Sequence, residues 1–236
     1  MSEIGKILPS ISPQVVNSRH PRSPIPESNY INVSLFISHP DPKPFPASNS
    51  IPEEIKKRFL EHIRNLEALF ETKCGKKLKI RNVWRTWDNI STTAKVQLRA
   101  EEIPVDIEKA EEVTKQRTRH KGYFPEINIM IWYILGDYLS LNENPNKKVV
   151  GRAYSDVSDD PCALVFITEK AGPYALAHEI GHILSDFEDP DPDPEADSKA
   201  HNKNPDNLMY FEEGGTNITA AQCENFFKHK FIKAPN

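Results

Sequence analysis

Residues 173–184 read Pro-Tyr-Ala-Leu-Ala-His-Glu-Ile-Gly-His-Ile-Leu, and the rest of the chain can be placed from them. Pro173 suits a helix start, and Leu176, Ile180, Ile183 and Leu184 supply the apolar faces of a buried helix. His178 and His182 are four residues apart, so on that helix their imidazoles project from one face, one turn apart. This spacing lets two ring nitrogens reach one ion at about 2.0–2.1 Å. Glu179 sits beside the first histidine, too far round to share its direction but well placed to meet a water at such an ion.

Each part has a chemical reason. Hydrolysis of a peptide bond needs a strong nucleophile near neutral pH. Zn²⁺ lowers the pKa of a water it holds to about 7 and polarises a carbonyl. A carboxylate must then take the water's proton and pass it to the leaving amine. His-Glu-x-x-His also arises on ordinary helices, where both histidines are merely solvated or satisfied in a core. On a helix this apolar, following a strand-like run, two imidazoles without a ligand would be awkward.

Three protein ligands are expected, and several downstream residues offer the third. Residues 201–210 read His-Asn-Lys-Asn-Pro-Asp-Asn-Leu-Met-Tyr. Together with the His-Glu-x-x-His helix, this segment resembles the metzincin clan of zinc peptidases. That clan joins the extended motif His-Glu-x-x-His-x-x-Gly-x-x-His to a later methionine-containing turn beneath the metal. Asn207-Leu208-Met209-Tyr210 looks like that turn, and His201 matches the clan's third histidine in its spacing to the methionine. The resemblance implies zinc held by His178, His182 and His201, Glu179 as general base, and Met209 as an apolar floor. The chain departs from the clan's pattern at Ser185, where the clan has glycine, and at Glu188, which occupies the usual third-ligand position. If His201 is the ligand, Ser185 to Ala200 is an insertion. Asp186, Glu188, Asp189 and Glu195 remain rival third ligands. The Asp-Pro repeat at 189–194 cannot continue a helix and reads as a solvated loop at the cleft rim, or as a lid or calcium site. Tyr210 lies next to the methionine, either packed or turned towards the reacting carbonyl.

Further out, Tyr30 to Ser38 alternates as a first strand, and Ser50 caps a long amphipathic helix ending near Cys74-Gly75. Leu78 to Trp87, Ile127 to Leu135, Val149 to Ser155 and Ala163 to Thr168 read as strands. Thr219-Ala-Ala-Gln222 is a capping box opening a last helix through Phe227. The resemblance implies that Val149 to Ser155 is an antiparallel edge strand pairing with substrate, with Gly151 and Ala153 admitting a peptide. Residues 91–125 stay ambiguous. Trp84, Trp87 and Trp132 read as packing. The fold class expected is α+β and metzincin-like, a twisted mixed sheet with an active-site helix. Residues 1–28 form a Pro/Ser-rich extension, and 29–236 one catalytic domain, whose smaller C-terminal subdomain from 186 closes a cleft.

Composition is that of an ordinary soluble globular protein. The 236 residues are 38% hydrophobic and 27% charged, with net charge −4, which disfavours a phosphate-binding surface and hence a nucleic-acid partner. Lys76 to Arg81, the densest basic run, reads as a helix end entering a strand. No run is apolar enough for a membrane span, and Met1 to Val16 lacks the apolar core of a secretory leader. A monomer acting on protein or peptide is expected, either cytoplasmic, exported without a cleaved signal, or with a leader absent from this sequence. Three cysteines (Cys74, Cys162, Cys223) suggest buried thiols, with Cys162–Cys223 the one bridge in view. Two other readings stand beside this one: a zinc peptidase of another clan with an acidic third ligand, and a binding protein on the same scaffold.

Overall fold

The structure, a computed structural model, describes residues 25–38, 53–86, 127–134, 138–141, 144–155, 163–195, 199–212 and 214–235. The N-terminal extension up to residue 24, the Ser50 cap, Trp87 and the ambiguous stretch 91–125 lie outside these residues.

A five-stranded sheet carries the molecule, built from β1 (Asn29–Ser38), β2 (Leu78–Thr86), β3 (Ile129–Ile134), β6 (Gly151–Tyr154) and β7 (Ala163–Thr168). Its order is β2-β1-β3-β7-β6. The first four strands run parallel, and β6 is antiparallel to β7 at one edge. Every position of β3 and β7 is buried, as expected of interior parallel strands covered on both faces. The fold is therefore α+β with a mixed sheet.

Helix α1 (Glu53–Cys74) lays Phe59, Ile63, Leu66, Leu69 and Phe70 into the core. Glu53 and Glu54 in its first turn and Lys73 in its last complement the helix dipole. Gly75, at φ 64°, ends it in the left-handed conformation that glycine adopts without strain. Helix α2 (Ala175–Leu184) follows β7, and helix α3 (Ala220–Lys228) closes the chain. Both halves of the capping box at Thr219 and Gln222 are made. Among the described residues no helix is long and apolar enough to cross a membrane.

Two expectations need correction. Val149 to Ser155 is not one strand: Val149 ends β5 (Asn144–Val149), which pairs with β4 (Leu139–Leu141), and β6 starts at Gly151. Val150 marks the break, its carbonyl turning to accept the Thr168 N–H. The cysteines are also not all thiols. Cys74 and Cys223 form a disulfide with Cα atoms 5.4 Å apart, so Cys223 has α1 rather than Cys162 as its partner. The bridge ties the end of α1 to α3. Phe70 meets Phe226 there at 5.5 Å and Phe227 at 6.3 Å between ring centroids, a tertiary contact that cysteine spacing does not encode.

Candidate metal centre

All ten residues of α2 are buried, which leaves its polar side chains to be satisfied locally. Nδ1 of His178 lies 2.6 Å from the carbonyl of Leu208. A carbonyl only accepts, so the imidazole donates from Nδ1 and its Nε2 lone pair is left facing inward. That atom is 3.0 Å from Nε2 of His182. His201, half-buried, completes the group: one nitrogen from each of the three rings lies within 4.8 Å of the others. Its ring centroid is 4.8 Å from that of His182 and 5.7 Å from that of His178.

Burial pushes the pKa of His178 down to about 4, against the opposing pull of the Leu208 carbonyl. His182 is driven well below the usual histidine range by burial, then by the two neighbouring imidazoles and Arg152. Both rings are therefore neutral near pH 7, the state in which a histidine can donate a lone pair. Three imidazole nitrogens converging at a largely buried place, each able to offer a lone pair, fit a divalent cation of borderline softness. Among the described residues no other group of three His, Cys, Asp or Glu side chains can hold a metal ion.

Helix α2 ends at Leu184, and the chain turns through Asp186 (φ 51°) and Phe187 (φ 59°). Two consecutive non-glycine residues in the left-handed region cost about 1–2 kcal/mol each. The turn lies one and two positions beyond Ser185. It lays the Phe187 ring flat against His182, with centroids 5.6 Å apart and planes within 4°. Nδ1 of His182 has no hydrogen-bond partner among the described residues, so this ring is held by packing, whereas His178 is held by a hydrogen bond.

The rival ligands are placed elsewhere. Glu188 and Glu195 are exposed, and the exposed Asp186 carboxylate reaches His229 at 3.2 Å. Asp189 corrects the picture of a wholly solvated loop, because it is only 8% exposed. Its Oδ1 accepts from Nδ2 of Asn202 at 2.7 Å and from the Asp191 N–H at 2.8 Å. Its Oδ2 accepts from Nε2 of Gln222. The sequence singles out Asp189 only as a rival ligand and Gln222 only as a capping residue, and neither as a support for the site. The aspartate looks like one of several loop acids, and the glutamine is accounted for by its capping box.

Met209 is buried beneath α2, with Gly181 above its sulfur and Phe226 nearby. Tyr210 is half-buried and packs on Phe211, whose ring is 52% exposed. Glu179 is 5% exposed. A Cβ on Gly151 would come 2.5 Å from Glu179 Oε1, so the side-chain room at Gly151 is taken up by this carboxylate. Trp132 is buried, stacked on Phe36 at 4.8 Å.

A separate cavity of about 220 Å³ lies between α1 and the segment entering α2, lined by Arg58, Glu61, His62, Asn65, Tyr133 and Glu169 among others. His62 and Tyr133 are nearly inaccessible there, and neither His62 Nδ1 nor the Tyr133 hydroxyl has a partner among the described residues. Burial pushes the Tyr133 hydroxyl up to about 12, with Glu169 adding to the rise and Arg58 opposing it.

No family model matches this chain, and no curated protein matches it. Among solved structures, a chaperone–substrate complex aligns over 87% of this chain and 38% of its own, with TM-score 0.47 and 17% identity. Metalloproteinase-II from Bacteroides fragilis aligns over 86% of this chain and 53% of its own, with TM-score 0.49 and 16% identity. The chain spans less than two thirds of the length of either structure, and neither likeness bears on what it does.

Proposed function

We propose that the chain is a zinc-dependent metallopeptidase of metzincin type, with His178, His182 and His201 holding the ion and Glu179 acting as general base. The observation that carries this reading is the convergence of three histidine nitrogens within 4.8 Å, with a buried carboxylate next to the first of them. Three protein ligands leave a coordination position open, the mark of a catalytic rather than a structural zinc site. The acids that rival His201 are exposed or engaged by amides, which disfavours a clan with an acidic third ligand.

When bound, zinc would supply Lewis-acid polarisation of a carbonyl and of a water. The protein's part follows from its residues. Glu179 takes a proton from the attacking water and delivers it to the departing amine. Its carboxylate is confined against the backbone of Gly151, which limits the directions in which it can point. The Leu208 carbonyl fixes the tautomer of His178. An extended peptide lies along β6, the antiparallel edge, using main-chain hydrogen bonds. Residues 29–236 act as one catalytic domain, with the segment from 186 forming the cleft's lower wall. The substrate is a protein or peptide, and the enzyme works as a monomer.

The test is zinc per chain after dialysis against a mild chelator, for wild type and His201→Ala, with turnover measured on a peptide library for Glu179→Gln. One zinc in the wild type, much less in His201→Ala, and a metal-loaded but inactive Glu179→Gln are the expected results. A Glu179→Gln protein with full activity would remove the general-base assignment, and a zinc-free wild type the entire reading.

A further inference from the structure

We infer that Asp189 is the positioning residue for the metal centre: its buried carboxylate ties the segment carrying His201 to the turn that supports His178. This rests on the metallopeptidase reading above and adds to it a residue that touches no metal. Two routes leave the carboxylate. Along one, Oδ1 holds the side chain of Asn202, the residue next to His201, while the Asn202 N–H donates to the Met209 carbonyl at 2.8 Å. Along the other, Oδ2 holds Gln222, which exchanges two amide hydrogen bonds with Asn207 at 2.9 and 3.0 Å. Asn207 Oδ1 then fixes the Met209 N–H at 2.9 Å, and the adjoining Leu208 carbonyl receives His178 Nδ1. The third and first histidines are thereby held to one another through a closed circuit of buried polar groups.

The circuit works only with a carboxylate at its junction. Gln222 uses both amide hydrogens, on Asp189 and Asn207, and its oxygen accepts from Asn207 and the Thr219 N–H. It has nothing to give up by turning over. Asn202 is likewise committed, since its Oδ1 accepts from the Asn204 N–H at 2.9 Å. An amide at position 189 would set N–H against N–H on one side or the other, and a buried donor without an acceptor is costly. Interchanging the two residues, as in the double variant Asp189→Asn/Asn202→Asp, restores donor to acceptor towards position 202 and Gln222, and leaves only the N–H of the exposed Asp191 to turn to solvent. The amide at position 189 then donates to the carboxylate at position 202 and accepts from Gln222. That carboxylate still accepts from the Asn204 N–H.

The experiment compares full-length wild type, Asp189→Asn, the double variant and His201→Ala. Zinc affinity is measured by competition with a chromophoric chelator, cobalt(II) coordination by visible absorption of the substituted protein, and folding by near-ultraviolet circular dichroism. Asp189→Asn is expected to lose about 10–100-fold in zinc affinity, the usual size for a group supporting a ligand. Its cobalt spectrum should move towards that of His201→Ala while the dichroism stays that of wild type. The double variant should regain both affinity and spectrum. Wild-type affinity and spectrum in Asp189→Asn overturn the positioning role and leave the metallopeptidase reading intact, whereas a wild type that binds no zinc overturns both. If Asp189→Asn does not fold, the double variant decides: recovery of fold and affinity together supports the role, and failure to recover affinity overturns it.

Discussion

Gly181 bears no side chain where the sulfur of Met209 sits; a Cβ there would lie 2.5 Å from Sδ and 3.3 Å from Cε. The x-x of the His-Glu-x-x-His motif is thus not free space. Its second residue admits the methionine that lies under the helix. Replacing Gly181 by alanine gains about 1 kcal/mol of helix propensity and incurs about 1–3 kcal/mol of overpacking. The two nearly offset in stability but not in geometry. Gly181→Ala is expected to melt within a few degrees of wild type while binding zinc more weakly, and Gly181→Ala/Met209→Ala should recover part of that affinity. Calorimetry and chelator competition read the two effects separately. Unchanged affinity in the single variant would show that Met209 has no hold on the site.

Gly151 makes the same argument for the carboxylate. A methyl group there would meet Oε1, Cγ and Cδ of Glu179 at 2.5, 3.0 and 3.1 Å, so the side chain must swing away. Displacing a reacting group by an ångström costs about 100-fold in rate. Gly151→Ala is therefore expected to keep its zinc and lose about 10–100-fold in kcat/KM, mostly in kcat. Full turnover in that protein would mean the close approach of Glu179 to β6 is incidental.

The disulfide offers a chemical measurement. Alkylation and mass analysis of the unreduced, denatured chain should find one free thiol among the three cysteines, and three after reduction. Closing so long a loop contributes about 2–5 kcal/mol, so Cys74→Ser/Cys223→Ser should melt at a distinctly lower temperature. Three thiols before reduction would contradict the bridge.

Acid should weaken the fold through histidines remote from the metal. Burial depresses His62, with Glu61 opposing, and depresses His229, with Asp186 opposing. A histidine whose pKa is lowered by folding takes up its proton more readily when unfolded. Its contribution is intact above the ordinary value of 6.5 and is lost as the pH falls towards the folded value. Urea midpoints of the zinc-loaded protein at pH 7.5 and pH 5.5 should fall with acid, less steeply in His62→Gln. Parallel slopes in the two proteins would exclude His62 as a contributor.

The parts of the molecule legible in its sequence are those set by short-range pattern. Apolar period placed α1 and α2, a capping box placed α3, and unbroken apolar runs placed β3 and β7. The spacing of His178 and His182 implied a shared target before any tertiary contact was known. What could not be read depends on parts distant in sequence meeting in space. Cys74 found Cys223 because Phe70 packs on the face of α3. Asp189 shares its residue type with Asp191 and Asp193 in the Asp-Pro run, yet it alone of the three meets the amides of Asn202 and Gln222. That Glu179 lies in the side-chain room at Gly151 was likewise hidden, because sequence reveals small residues, not what fills the room they leave.

On the proposed ligand set, the segment before His201 is an insertion, and what it costs is a matter of polymer length. The third histidine follows the second by 19 residues, where the compact motif allows six. Closing the longer tether costs about 1 kcal/mol more, since loop entropy grows only with the logarithm of length. A tether that cheap is free to drift in evolution so long as its two ends stay pinned. Related chains should therefore vary freely in length and composition between residues 190 and 198, while an acid at 189, an amide at 202 and a glutamine at 222 change together or not at all.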